Sequence, residues 1–228
     1  QHRSRWTPKT SSSNSAVNFL RQWLPQSSSA PAGAPQFLPR PSHAVAAFFQ
    51  SLSDRSHPSV LDLGRVWHST VALLTEAGAK VYTEDLLAAL ADAAPPAQNR
   101  EGDAVALSPR RFLEANLRYA EKSLDAILAW DVVEYLPEEL LLPTRMRLHA
   151  ILKPGGLLLM LFRNRPEPEG GHRYRLLTRE SFAVIPKALG LRPQRVLQNR
   201  AILNLFAPFS SSRTFIGRDN LREVLFFK

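Results

Sequence analysis

Residues 59–86 constrain the chain more than any other stretch. SVLDLG (59–64) is a short apolar run that stops at a glycine. STVALLTEAG (69–78) has the marks of a helix: Ser69 and Thr70 can satisfy the free amides at its start, and Gly78 can end it. AKVYTEDL (79–86) reads as a second strand. Strand, helix and strand in such quick succession form a βαβ unit, which implies a parallel pair with a right-handed crossover.

The rest of the chain extends this pattern. SHAVAAFFQSL (42–52) predicts a helix with Ser42 as N-cap, LLAALADAA a short helix, and SPRRFLEANLRYA a helix entered through Ser-Pro. APPAQNREGD (94–103) reads as a loop or insert, and a third strand is expected within 104–119. SLDAILAWDVVEYL (123–136) predicts a strand over Ala126–Trp130 with Asp131 at its end. PEELLLPTRMRLHAILKPGG predicts a helix stopped at a Lys153-Pro154-Gly155-Gly156 turn, with Pro143 either in its first turns or splitting it. LLLMLF follows as a strand buried on both faces. The segment 164–177 reads as a loop beside the substrate pocket, whose Arg173 and Arg175 could receive an anionic group or simply be solvated. A helix is expected from about Thr178, then a strand in RPQRVLQN, and a last strand in LREVLFFK. The two late strands are expected to pair as an antiparallel hairpin at the sheet edge. Together these elements predict a three-layer α/β protein.

Composition sets the outer limits. The chain has 228 residues, 44% of them hydrophobic, and no apolar run near the ~20 residues of a membrane span. Residues 1–41 are rich in Ser and Pro and read as a flexible tail, with AVNFLRQWL as a short helical element within it. Residues 42–228 read as the folded domain. A chain without Cys has no disulfide or thiolate chemistry and suits a reducing compartment, so a cytoplasmic location is expected. Both ends are basic and the middle is acidic: residues 59–162 hold ten Lys/Arg against fourteen acids. A basic surface is compatible with nucleic acid, but no dense Lys/Arg run or interleaved aromatics favour it. The six His are scattered, so no metal site is expected, and no phosphate loop of the Gly-x-x-x-x-Gly-Lys type is present.

Open α/β sheets bind ligands at the carboxyl ends of their strands. Three such ends carry chemistry: Asp62-Leu63-Gly64, Glu84-Asp85 and Trp130-Asp131. A carboxylate about twenty residues beyond the first glycine is placed to bind a ribose diol. Taken in order, VLDLG, VYTED, LDAILAWDVVEYLP and LHAILKPGGLLLMLF resemble the motifs of the class I S-adenosylmethionine-dependent methyltransferases. The resemblance covers roughly residues 42–228. It implies a Rossmann-like fold with a mostly parallel, seven-stranded sheet whose last strand is antiparallel, and S-adenosylmethionine as cofactor. It places Asp62 and Gly64 near the cofactor's methionine end, with Arg65 in the same turn. It gives the ribose to Glu84 or Asp85, and sets Trp130 and Asp131 beside the adenine or the substrate. Each has a plainer role as well: Asp62 as a loop or helix cap, Glu84 and Asp85 as caps of the following helix, Trp130 as packing.

One departure stands out. The family's glycine-rich turn is reduced to Gly64, and Arg65, Val66, Trp67 and His68 add bulk where the backbone would approach the ligand. No catalytic residue is assigned, because methyl transfer depends chiefly on holding donor and acceptor in line. Asp131, Glu134, Tyr135 and His172 are the substrate-side candidates. Two functions follow. One is methyl transfer to an unidentified small-molecule or macromolecular acceptor. The other is an inactive methyltransferase-fold protein that serves as a binding or assembly subunit, with the N-terminal tail as a place to meet a protein partner.

Overall fold

The computed structural model describes residues 37–93, 107–166, 171–187, 190–217 and 219–228. The expected tail helix and the insert at 94–103 lie outside them. A compact unit runs from Phe37 to Lys228. It therefore begins a few residues ahead of position 42, and the strand β1 (Arg40–Pro41) belongs to it.

The first half follows the pattern of apolar runs and caps. Helix α1 (His43–Ser53) starts at Ser42, whose side chain accepts from the Val45 amide at 3.0 Å. Strand β2 (Ser59–Asp62), helix α2 (His68–Glu76) and strand β3 (Lys80–Thr83) make the βαβ unit, with Gly78 at φ +81° ending the helix. Helices α3 (Leu86–Ala93) and α4 (Pro109–Asn116) follow; Ser108 caps α4 and Pro109 occupies its first turn. No strand lies among the described residues between α3 and β4. Strand β4 (Leu124–Trp130), the single turn α5 (Val132–Tyr135), helix α6 (Glu138–Ile151) and strand β5 (Leu152–Arg163) complete the parallel part. Pro143 is the sixth residue of α6, and the helix runs on through it to Ile151 without being split.

Lys153-Pro154-Gly155-Gly156 is not a free turn. It is an irregular opening of β5: Leu152 pairs with Leu124, but the next partners are Leu157 and Ala126. Gly155 sits at φ +72°, as glycine permits, and a Cβ on Gly156 would lie 2.8 Å from the Lys153 carbonyl oxygen. The bulge is held by the chain's end, the Gly155 amide donating to Lys228 O and the Lys228 amide to Gly156 O.

The second half departs from expectation. Where a loop and then a helix were expected, β6 (Gly171–Thr178) and β7 (Ser181–Lys187) form an antiparallel hairpin. The physical reason lies in Thr178–Ser181. Thr178 accepts from the Glu180 amide and its hydroxyl pairs with that of Ser181, so the chain turns back instead of winding on. RPQRVLQN has no regular structure, and helix α7 (Asn199–Leu205) follows it. The edge hairpin is made instead by β8 (Ser211–Ile216) and β9 (Leu221–Phe227).

Two sheets result. Among the described residues the larger has six strands, in the order β3-β2-β4-β5-β9-β8, where seven were expected. The first four are parallel and β9 is antiparallel to both its neighbours. The smaller sheet, β1-β7-β6, is antiparallel. Alternate residues of the central strands feed two cores. Ile127, Ala129, Leu158 and Met160 join α3–α7 on one face; Ala126, Leu128, Leu159 and Leu161 join α1 and the small sheet on the other. No described helix is long and apolar enough to cross a membrane.

Candidate functional site

The carboxyl ends of β2, β3 and β4 converge, and the residues singled out there come together. Asp62 ends β2 and is 1% exposed. One of its oxygens, Oδ1, accepts two hydrogen bonds: from the Gly64 amide at 3.0 Å and from Trp130 Nε1 at 2.7 Å. Burial pushes its carboxyl up to about 6, against the lowering effect of those two donors. Gly64 has to be glycine here. A Cβ would meet Trp130 Nε1 at 2.8 Å.

The two acids at the end of β3 divide their work. Asp85 caps α3, accepting from the Ala88 amide at 3.0 Å, and pairs with Arg173 Nη1 at 2.5 Å. Glu84 accepts from the Tyr119 hydroxyl at 3.2 Å. Only Glu84 thus keeps clear of both the helix cap and the Arg173 pair.

Arg65 and Val66 are exposed and turn away from this point, and the Arg65 guanidinium lies 5.2 Å from the Trp67 ring. His68 is exposed as well and Trp67 half-buried, and none of these four replacements in the glycine turn lines the cavity that remains. Ser69 and Thr70 do not cap α2. The Ser69 hydroxyl donates to Leu176 O and Thr70 Oγ1 accepts from the Leu176 amide, so both tie α2 to β6.

What fills the crevice is Trp130 itself, with β6. Trp130 has φ +50°, in the left-handed region that a bulky residue rarely adopts. Its ring stacks on Tyr174, centroids 5.4 Å apart and planes 10° from parallel, with Phe182 edge-on at 6.0 Å. Asp131 is fully buried; its Oδ2 accepts from the Tyr174 hydroxyl at 2.7 Å and from Arg163 Nη2 at 3.1 Å. Its other oxygen has no hydrogen bond. Burial raises the Asp131 carboxyl, although the Arg163 charge opposes it. Glu134, equally buried, accepts from the Arg163 amide at 2.7 Å and faces Arg163 Nε at 3.6 Å. Burial pushes Glu134 up to about 8.

Arg163 and Tyr174 were not among the residues assigned to this site from the sequence, and Arg173, read there as a receiver for an anionic group or as solvated, instead pairs with Asp85. A charged residue closing the apolar run LLLMLF marks Arg163 in retrospect. Arg173 and Tyr174 could be placed only once the hairpin was known. Among the described residues no cluster of His, Asp and Glu is arranged to hold a metal ion.

The cavity left between Gly64, Trp130, Asp131, His172, Arg173 and Tyr174 measures about 10 Å³. That is the room of a single water, whereas small-molecule sites occupy roughly 300–1,000 Å³. The polar groups suited to S-adenosylmethionine are present, but the space is not: the crevice as folded does not fit the cofactor.

No family model matches the sequence, and no curated protein matches it. Solved structures do resemble the fold. One is the Burkholderia thailandensis 1,6-didemethyltoxoflavin-N1-methyltransferase with bound 1,6-didemethyltoxoflavin and S-adenosylhomocysteine: 16% identity over 82% of this chain and 77% of that one, TM-score 0.42. Others are S-adenosylmethionine-dependent methyltransferases from Archaeoglobus fulgidus (12% identity, 81% and 93%, TM-score 0.45) and Mesorhizobium loti (14%, 80% and 98%, TM-score 0.44). At these identities and TM-scores the likeness carries no residue roles to this chain.

Proposed function

We propose that the chain is an S-adenosylmethionine-dependent methyltransferase. The observation that carries this is the meeting of Asp62, the Gly64 amide, Glu84 and Trp130 at the carboxyl ends of three adjacent parallel strands, where such folds take their ligands. In this proposal Glu84 holds the ribose, since Asp85 is engaged by α3 and Arg173. Asp62 and Gly64 border the methionine end, and Trp130 and Asp131 flank the adenine or acceptor. Methyl transfer then asks for alignment of donor and acceptor and no dedicated base. The acceptor, small molecule or macromolecule, is left unassigned, and the cysteine-free composition suits a cytoplasmic setting.

A second reading is favoured by one observation, the crevice filled by Trp130 and Tyr174. On that reading the domain keeps the fold as a binding or assembly subunit and has given up the cofactor. Calorimetric titration of the full chain with S-adenosylmethionine and S-adenosylhomocysteine separates the two. Methyl transfer predicts saturable binding, with Glu84→Ala weakening it at least tenfold. No heat with either ligand up to millimolar concentration would overturn it in favour of the binding subunit.

A further inference from the structure

Trp130 and one element from far along the chain, β6, close the crevice. Of the residues around its remaining cavity, all those that follow Val132 in the chain belong to β6: His172, Arg173 and Tyr174. We propose that this end of the β6–β7 hairpin is an internal strap lying in the cofactor's place and competing with it. The inference rests on the methyl-transfer reading and deepens it.

Each contact of the strap falls on or beside a group the cofactor would use. The Arg173 guanidinium takes Asp85, the neighbour of the Glu84 that would hold the ribose. The Tyr174 ring covers the indole of Trp130 and its hydroxyl takes Asp131. Trp130 in turn is held by Tyr174 against Asp62, spending on its own N–H one of the places on that carboxylate.

The closure has the marks of a state that can open. The hairpin belongs to a separate sheet, β1-β7-β6, not to the six-stranded one. Its turn end is anchored by Leu176 and Phe182, both fully buried, and by the Ser69 and Thr70 bonds to Leu176. Its other end, His172–Tyr174, reaches the crevice through polar as well as aromatic partners, Arg173 on Asp85 and the Tyr174 hydroxyl on Asp131 beside the Tyr174 ring on Trp130. A settled core would be apolar or fully hydrogen-bonded. Here Arg173 Nε and Asp131 Oδ1 are buried without a hydrogen bond, and Trp130 holds a left-handed backbone. Unpaired polar atoms and backbone strain at one point are the features expected where two arrangements compete. Opening therefore pivots on Leu176 and withdraws Arg173 and Tyr174 together.

The test uses the full chain with S-adenosylhomocysteine as probe. Arg173→Met keeps the apolar stem and removes the charge that holds Asp85. It is expected to bind the probe at least tenfold more tightly than wild type by calorimetry, and to show the larger ligand-induced rise in Tm. Hydrogen exchange on the wild type gives a second measure that needs no variant: amides 171–175 are expected to exchange faster when the probe is bound. Equal affinity of wild type and Arg173→Met, or unchanged exchange at 171–175 with bound probe, overturns the strap and leaves methyl transfer standing. If neither protein binds, both proposals fall.

Discussion

Two buried carboxylates, Asp131 and Glu134, face one guanidinium, Arg163, at the end of β5. The charges of Arg163 and of Arg222 both oppose the desolvation of Glu134 but do not offset it, so burial pushes its carboxyl up to about 8. The native state therefore binds this proton more tightly than the unfolded chain, where the group titrates near 4.5. Its contribution to stability is full below that value and is lost as pH rises from 4.5 towards 8. Glu134→Gln, which keeps an acceptor for the Arg163 amide, is expected to flatten the fall of Tm across that window. It should also be more stable than wild type at pH 8–9. Parallel Tm–pH curves for the two proteins would refute this role of Glu134. At this scale part of the site was legible in the sequence. Asp62, Gly64, Glu84, Trp130 and Asp131 meet because each ends a strand of one parallel sheet, and strand ends can be read from apolar runs. The partners of those residues were not legible. Whether an indole reaches a carboxylate depends on rotamers and on what packs behind it, and Tyr174 is supplied by a segment far along the chain.

Among the elements, β6 is the one that ties the small sheet to the βαβ unit. The tie is a pair of hydroxyls on the first turn of α2. Thr70 Oγ1 accepts from the buried amide of Leu176 at 3.0 Å. Thr70→Val keeps the shape and strands that amide, which should cost about 1–3 kcal/mol, or a Tm lower by roughly 2–4 °C per kcal/mol for a domain of this size. Thr70→Ser should recover most of the loss, and a Val variant as stable as the Ser variant would show that the hydroxyl is idle. The same pair shows why the second half of the chain misled. Ser69 and Thr70 stand where helix caps stand, and RLLTRESFAVIPKALGL carries apolar residues that suit either period. Local pattern favours a helix there. Pairing with β1, the Thr178–Ser181 turn and the contacts with α2 decide for strands, and none of these lies within a short window of sequence.

For the molecule as a whole, the parallel strands of the large sheet were plain in the sequence, and so was β9 from its apolar run; the order in which they pair was not. The small sheet did not follow, because its third strand, β1, comes from the other end of the domain, where Arg40 also pairs with Asp219 and Glu223. One feature of that arrangement is also optical. The indole of Trp130, fixed nearly parallel to the Tyr174 phenol and edged by Phe182, is a pair of chromophores locked in a single asymmetric geometry. Such rigid packing produces near-ultraviolet circular dichroism, which vanishes when rings rotate freely. Subtracting the spectrum of Trp130→Phe from that of the wild type isolates the signal. It is expected to fade as S-adenosylhomocysteine is added while the far-ultraviolet spectrum holds steady. A band that survives saturating ligand would mean that the rings never part. The crevice thus carries its own gauge of whether it is open or shut, readable without labels and without knowing the methyl acceptor.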